Sequence, residues 1–256
     1  MSVGVEFLRE HMPPSARVHY IVSSGGERPN IIPERAEGRF QVRSPRIREV
    51  LTLVQRVIDV AKGAGLMTGT EVEWEVFYGC YDTVPNAVIS DVLYGNLKDV
   101  PLPVFDGADR DLAAGLSTYF NEDQKRTTLA MFGIDPLSVA TIIRSPLHES
   151  VGYWGVGWTI PASTDVGDVS HLAPTAQINT ATWPVGVGSH TWQATAASGS
   201  GIGMKSMLYA AKVLAGAAYD LMIHPELVQK AHAEFMAVTA GETYVPVGDL
   251  IKKANP

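Results

Sequence analysis

Two short stretches of polar and apolar alternation, followed at once by a long helical stripe, set the frame for this chain. Val18, Tyr20 and Val22 alternate with Arg17, His19 and Ile21, the period of two that gives a strand one apolar face. Ser23-Ser24-Gly25-Gly26 and Pro29-Asn30 then break the run, as turn residues do. A second strand follows, with Ala36, Gly38, Phe40 and Val42 on one face and Glu37, Arg39, Gln41 and Arg43 on the other. Ser44-Pro45 predicts a helix start, with serine as cap and proline in the first turn. Ile47, Val50, Leu51, Val54, Val57, Ile58 and Ala61 supply its apolar stripe, and Gly63 and Gly65 are expected to end it.

The alternation of Glu71, Glu73 and Glu75 with Val72, Trp74 and Val76 predicts a third strand with one wet face. Pro85 opens a further helix carrying Val88, Ile89, Val92, Leu93 and Leu97. Strand, strand, helix, strand, helix describes a two-layer α+β sandwich. Pro101, Pro103 and Gly107 mark a boundary. Beyond it we expect a helix near 109–132, mixed strands and loops through 140–195, and two closing helices. Met204 to Met222 is apolar nearly all round and predicts a buried helix. Pro225 begins the amphipathic last one, with Leu227, Val228, Ala231 and Phe235.

Composition bounds the function. With 256 residues, 46% hydrophobic and 18% charged, the chain is globular, as one large domain or two modest ones. A net charge of -7 argues against nucleic acid, whose phosphates need a basic face. The lone Cys80 has no internal disulfide partner and suits a reducing compartment. Met1 to His11 lacks a basic leader and an apolar core, so it is no signal peptide; Val3, Phe7 and Leu8 there mark the last turns of an amphipathic helix. No apolar run approaches the ~20 residues of a membrane span, and a cytoplasmic protein is the expectation. Only Glu149, Asp165 and Asp168 carry charge in the 60 residues between Arg144 and Lys205, which places that segment centrally and among turns.

Several chemistries are excluded by spacing. Gly199-Ser200-Gly201-Ile202-Gly203-Met204-Lys205-Ser206 fails as a phosphate loop, because Met204 separates the lysine from the glycine it must follow. There is no Gly-x-Ser-x-Gly elbow and no His-Glu-x-x-His helix, and Cys80 has no neighbouring histidine to activate it. The histidines and carboxylates remain. His11, His224 and His232 sit on helices or their ends as solvated groups, whereas His148 and His171 lie in loops and stay open. His190 lies in Gly186-Val187-Gly188-Ser189-His190-Thr191-Trp192-Gln193, where flexible backbone can project an imidazole into a cavity. A lone histidine of this kind is either structural or one metal ligand among several. Asp165 and Asp168 belong either to an aspartate-rich turn bonding nearby backbone or to a site. His19, Asn30 and Arg43 either face water on a polar sheet surface or hold an oxyanion and a carboxylate.

A resemblance bears on these alternatives. His19-Tyr20-Ile21 with Gly25-Gly26, Pro29-Asn30-Ile31-Ile32-Pro33, Ala36 and Arg43 resembles the lid domain of the zinc aminoacylase and carboxypeptidase family. Ser163-Thr164-Asp165-Val166-Gly167-Asp168-Val169-Ser170 and His190-Thr191-Trp192-Gln193 are similar to its p-aminobenzoyl-glutamate hydrolase branch. The match runs in order over nearly the whole chain. It implies an α/β zinc-peptidase-like catalytic domain bearing a ferredoxin-like lid through which two subunits dimerise. It also implies cleavage of an amide beside a free carboxylate, with one or two zinc (or manganese) ions and a glutamate base. On that resemblance His19 reaches into the partner subunit's site to hold the oxyanion, and Asn30 and Arg43 bind the small-molecule amide substrate. His190 is a metal ligand, with Asp165 and Asp168 behind the site.

The departures are equally specific. The family's other metal ligands and its catalytic glutamate have no counterpart here, nor has the first lid strand. The resemblance therefore implies that residues 1–102 form an incomplete lid and dimerisation domain, and 103–256 the C-terminal part of a catalytic domain. A zinc site with three protein ligands and an open position cannot be built from His190 alone. We expect a chain inactive by itself, paired through its lid into a homodimer or associated with a missing N-terminal half. Two other expectations are a non-catalytic dimerisation or regulatory subunit, and a general N-acyl-amino-acid or dipeptide amidohydrolase.

Overall fold

A computed structural model describes residues 1–240 and 242–254. The chain is helix-rich with one small sheet, within the α/β class. It divides into two compact units, one made of residues 1–83, 163–168 and 243–256, the other of 84–162 and 169–242.

The first unit is built on the antiparallel pair β1 (Arg17–Ser24) and β2 (Glu37–Arg43), in register Val18 with Val42 and Tyr20 with Phe40. Helix α1 (Ser2–Arg9) and helix α2 (Ile47–Thr68) cover its apolar face. The core there joins Val5, Leu8, Val18 and Val57, with Tyr20, Phe40, Val42, Met12 and Val60 against them. Tyr20 and Phe40 stack with ring centroids 5.4 Å apart, a cross-strand pair that adds to the hairpin's stability.

Several local expectations are corrected. In α1 the residues that face inward are Val5 and Leu8, while Val3 and Phe7 are exposed. Helix α2 starts at Ile47, after Arg46, and not at Ser44-Pro45; the Ser44 hydroxyl instead bonds the Glu49 carboxylate. The same helix runs past Gly63 and Gly65 and stops at Gly69, whose φ of 68° supplies the left-handed cap.

The third predicted strand is absent: residues 71–76 carry no regular element, and the sheet has two strands. Alternation fits a strand's faces, but a strand also needs a neighbour for its backbone N–H and C=O groups. Instead the chain folds back over the end of α2, bringing Thr70 and Val72 against Gly65.

The second unit is helical among its described residues. Asn86, buried, caps α3 (Ala87–Asp99) by accepting from the Ile89 N–H at 3.0 Å. Its amide also donates to the Ala231 carbonyl at 2.9 Å, fixing α3 to α10 (Pro225–Val238). The helix expected near 109–132 is two helices, α4 (Gly107–Ser117) and α5 (Glu122–Ala130), each opened by its own capping box. Asn121, the cap of α5, is what divides them. Helix α6 (Pro136–Ile142) follows; the short α7 (Val166–Ser170) comes next in the chain, its first three residues counted with the first unit. The strands expected within 140–195 do not form; loops rich in Gly, Pro and Thr fill that stretch, with the end of α6, α7 and the start of α8 (Trp192–Ser198) as its regular elements.

Helix α9 (Gly201–Ile223) packs on α3, α8 and α10. It buries Ile202, Gly203, Ser206, Tyr209, Val213 and Ala217, but Met204, Met207, Leu208, Leu214 and Met222 are exposed. The buried helix predicted here is thus buried on one side. It is also long and apolar enough to cross a bilayer by length and composition, which corrects the expectation that no apolar run comes near that size. Lys205, ion-paired with Asp106 and Asp109, lies within it. The chain closes with α11 (Val247–Ala254) in the first unit.

Candidate active site

In the first unit, the register sets Arg17 opposite Arg43, His19 opposite Gln41 and Ile21 opposite Arg39. Alternation puts all six on the face away from the core. Val18 is fully buried while His19 beside it is exposed, so the imidazole is presented outward by the residue that anchors the strand. Arg17 is turned aside by donating to the Pro14 and Ala16 carbonyls. Arg43 is half-buried and donates from Nη2 to the Ser163 hydroxyl at 3.1 Å.

Asn30 lies in the exposed connection between the two strands. Gly26 turns that connection with φ of 101° against the Pro33 ring, a conformation open to glycine. His19, Asn30 and Arg43 therefore all belong to one hairpin, two of them on a single sheet face.

The segment 163–168 belongs to the same unit, and its carboxylates separate by environment. Asp165 is exposed, beside the Thr164 hydroxyl at 3.4 Å. Asp168 is half-buried and accepts from the Tyr244 hydroxyl at 2.9 Å and the Tyr81 N–H at 3.4 Å. Burial, aided by the Asp168 charge, pushes the Tyr244 phenol above its ordinary value. Tyr81 adds a hydroxyl bond to the Val245 carbonyl at 2.9 Å and a ring contact with Tyr244 at 5.1 Å. Nothing in residue spacing points to this partnership of Tyr81, Tyr244 and Asp168, which draws on three distant stretches of the chain.

In the second unit, His190 sits at the exposed end of a loop whose root is buried at Pro184, Val185 and Val187. Val185 donates to the Pro146 carbonyl at 2.9 Å, and Gly186, at φ 83°, lies against the Lys125 side chain. Thr191 follows and caps α8 by accepting from the Ala194 N–H at 3.2 Å. Its hydroxyl also donates to the Gly188 carbonyl at 2.9 Å. Between these constraints His190 adopts φ of 62°, the one non-glycine residue with positive φ among the described residues. Trp192, beside it, is exposed and meets Tyr119 edge-on at 5.3 Å.

His148 bonds Ser150 at 2.9 Å and lies against the Trp154 ring at 5.4 Å. His171 is half-buried, next to the fully buried Ser170 that accepts from the Val84 N–H at 2.8 Å.

No protein-family model matches the chain. It is 32% identical over 251 residues to one of the subunits of p-aminobenzoyl-glutamate hydrolase from Escherichia coli (strain K12), across 95% of this chain and 52% of that protein. It is also 27% identical over 235 residues to the Xaa-Arg dipeptidase of Mus musculus, across 91% of this chain and 43% of the relative. The Xaa-Arg dipeptidase of Homo sapiens is 26% identical over 245 residues, across 94% and 45%. These hydrolases are homologues of the chain. It spans about half the length of the curated relatives it matches.

In this chain, no three His, Cys, Asp or Glu side chains among the described residues converge where they could share an ion. A catalytic zinc needs three protein donors and an open position. The described residues of this chain do not fit a zinc centre by themselves.

Proposed function

We propose that this chain is part of an amide-bond hydrolase acting next to a free carboxylate, on a substrate of the p-aminobenzoyl-glutamate class. The observation that carries the reading is the 32% identity to the E. coli p-aminobenzoyl-glutamate hydrolase polypeptide over nearly the whole chain. In this proposal the hairpin is a substrate clamp. His19, exposed on the sheet face, donates to the oxygen that gains charge as the amide carbonyl is attacked. Arg43 binds the free carboxylate, and Asn30 the amide backbone.

The proposal extends to a metal-dependent enzyme, with zinc or manganese, in which His190 supplies one ligand and other donors come from outside this chain. It includes a ferredoxin-like lid, homodimerisation through that lid, a cytoplasmic location, and inactivity of this chain alone. A second reading, a dipeptide or N-acyl-amino-acid amidohydrolase, draws on the matches to the Xaa-Arg dipeptidases.

The test is an assay of p-aminobenzoate release from p-aminobenzoyl-glutamate, alongside hydrolysis of dipeptides ending in arginine. It is run on the chain alone and on the chain co-expressed with the portion of the E. coli relative that it does not match. Turnover in the co-expressed sample that disappears with His19→Ala, metal content unchanged, supports the reading. Stoichiometric zinc and turnover by the chain alone would overturn the need for outside donors. Arginine-dipeptide cleavage without p-aminobenzoate release would select the second reading.

A further inference from the structure

Helix α9 has two apolar sides and the second unit covers one of them. Ile202, Ser206, Tyr209, Val213 and Ala217 face its neighbours and are buried. On the opposite side Met204, Leu208, Ala211, Ala215, Ala218 and Met222 recur at spacings of four and three. All six are exposed, and they run straight along the helix for roughly 27 Å at 1.5 Å per residue.

Met207 and Leu214 widen this stripe and are also exposed, at 60% and 52%. No charge lies within it. Lys212 flanks one edge, Lys205 turns away to Asp106 and Asp109, and Asp220 accepts from the Asn96 amide. A helix apolar all round is a helix packed on both sides, and a continuous exposed apolar strip of this length marks a contact surface.

We propose that this face of α9 is the seat for a polypeptide equivalent to the portion of the hydrolase relatives that this chain does not match. Two observations favour that occupant. The relatives are about twice as long as their matched region, so each carries a further stretch of comparable size. The stripe also ends in methionines and centres on three alanines, a flat surface that lets backbone of a packed layer approach closely. The proposal rests on the homology and not on the reaction, and its test reads binding.

The chain carrying Met207→Cys in a Cys80→Ser background is labelled with a thiol reagent, alone and after co-expression with the unmatched portion of the E. coli relative. The expected result is fast labelling alone, protection in a one-to-one complex, and loss of that complex by roughly tenfold or more with Leu214→Asp, since a carboxylate buried there is unpaired. Val228→Asp, on the exposed part of α10, leaves the complex intact. As Leu214 is exposed in the chain alone, the melting temperature of Leu214→Asp stays at the parent value, which separates lost docking from lost folding. Unprotected Met207→Cys in the co-expressed sample overturns the proposal. So does self-association of the chain that Leu214→Asp abolishes, which identifies a second copy as the occupant. Partition onto phosphatidylcholine vesicles through the same residues overturns it in favour of a bilayer.

Discussion

Arg43 donates to the hydroxyl of Ser163 at 3.1 Å across 120 positions of sequence. The end of β2 is thereby tied to the short segment 163–168 within the first unit. A guanidinium already held on one side by a hydroxyl is partly oriented for a carboxylate, which is the role proposed for it. In the active assembly, Arg43→Ala is expected to raise KM for p-aminobenzoyl-glutamate by about 10- to 100-fold. That range corresponds to the ~1.5–3 kcal/mol of a hydrogen bond to a charged group. The effect on kcat should be small, because the carboxylate is bound equally in ground and transition states. Arg43→Lys restores little, since an ammonium lacks the planar fork. Steady-state kinetics decides it; an unchanged KM removes Arg43 from substrate binding.

A different pairing holds the Asp168 end of that segment. Asp168 accepts from the Tyr244 hydroxyl at 2.9 Å and from the Tyr81 N–H at 3.4 Å, so a carboxylate joins three distant stretches of one unit. Asp168→Asn exchanges a charged acceptor for a neutral one and keeps the size. A loss of about 1–2 kcal/mol in urea unfolding is expected, and about 1 kcal/mol for Tyr244→Phe. The double variant should lose less than the sum, because each change removes the same bond. Strict additivity would show that the two groups do not act on one another.

The hairpin, α2 and α3 were legible because burial in them follows local periodicity, and α10 was legible as a helix although, of its expected apolar stripe, Ala231 is buried and Val228 is exposed. Val18 and Val42 are core and His19 and Arg43 point outward, as alternation requires. What escaped was set by partners distant in sequence. Residues 71–76 have a strand's pattern but no neighbouring edge. The division between α4 and α5 turns on one capping side chain, Asn121. Within the candidate site, the residue types of His19, Asn30 and Arg43 were visible, and their shared hairpin followed from short separations. The Arg43 bond to Ser163 and the Asp168 bonds to Tyr81 and Tyr244 could not be read from spacing at all.

His148 gives the second unit a pH dependence. Burial against Trp154 holds its imidazole below the ordinary histidine value, because desolvation disfavours the charged form. The folded state therefore binds the proton less readily than the unfolded chain does. Stability from this group is complete above the unfolded value of about 6.5 and is lost as pH falls through the lower folded value. Urea midpoints measured from pH 7.5 down to 5 should fall for the parent chain. The fall should be shallower for His148→Gln, which keeps a polar partner for Ser150. Parallel curves for the two proteins would place the pH dependence elsewhere.

The backbone at His190 permits a test in which the usual ranking of residues is reversed. Alanine ordinarily exceeds glycine in stability, because glycine loses more freedom on folding. At φ of 62° a side chain crowds the following carbonyl, at a cost of about 1–2 kcal/mol that glycine avoids. His190→Gly should therefore be more stable than His190→Ala by about 1 kcal/mol in thermal or urea unfolding, although the exposed side chain makes no packing contribution that either variant could lose. A parent protein no more stable than His190→Gly, in an assembly where that glycine abolishes activity, would mean that the histidine is kept at a strained position for what its imidazole does. Alanine more stable than glycine would show instead that the loop relaxes and that no strain is stored there.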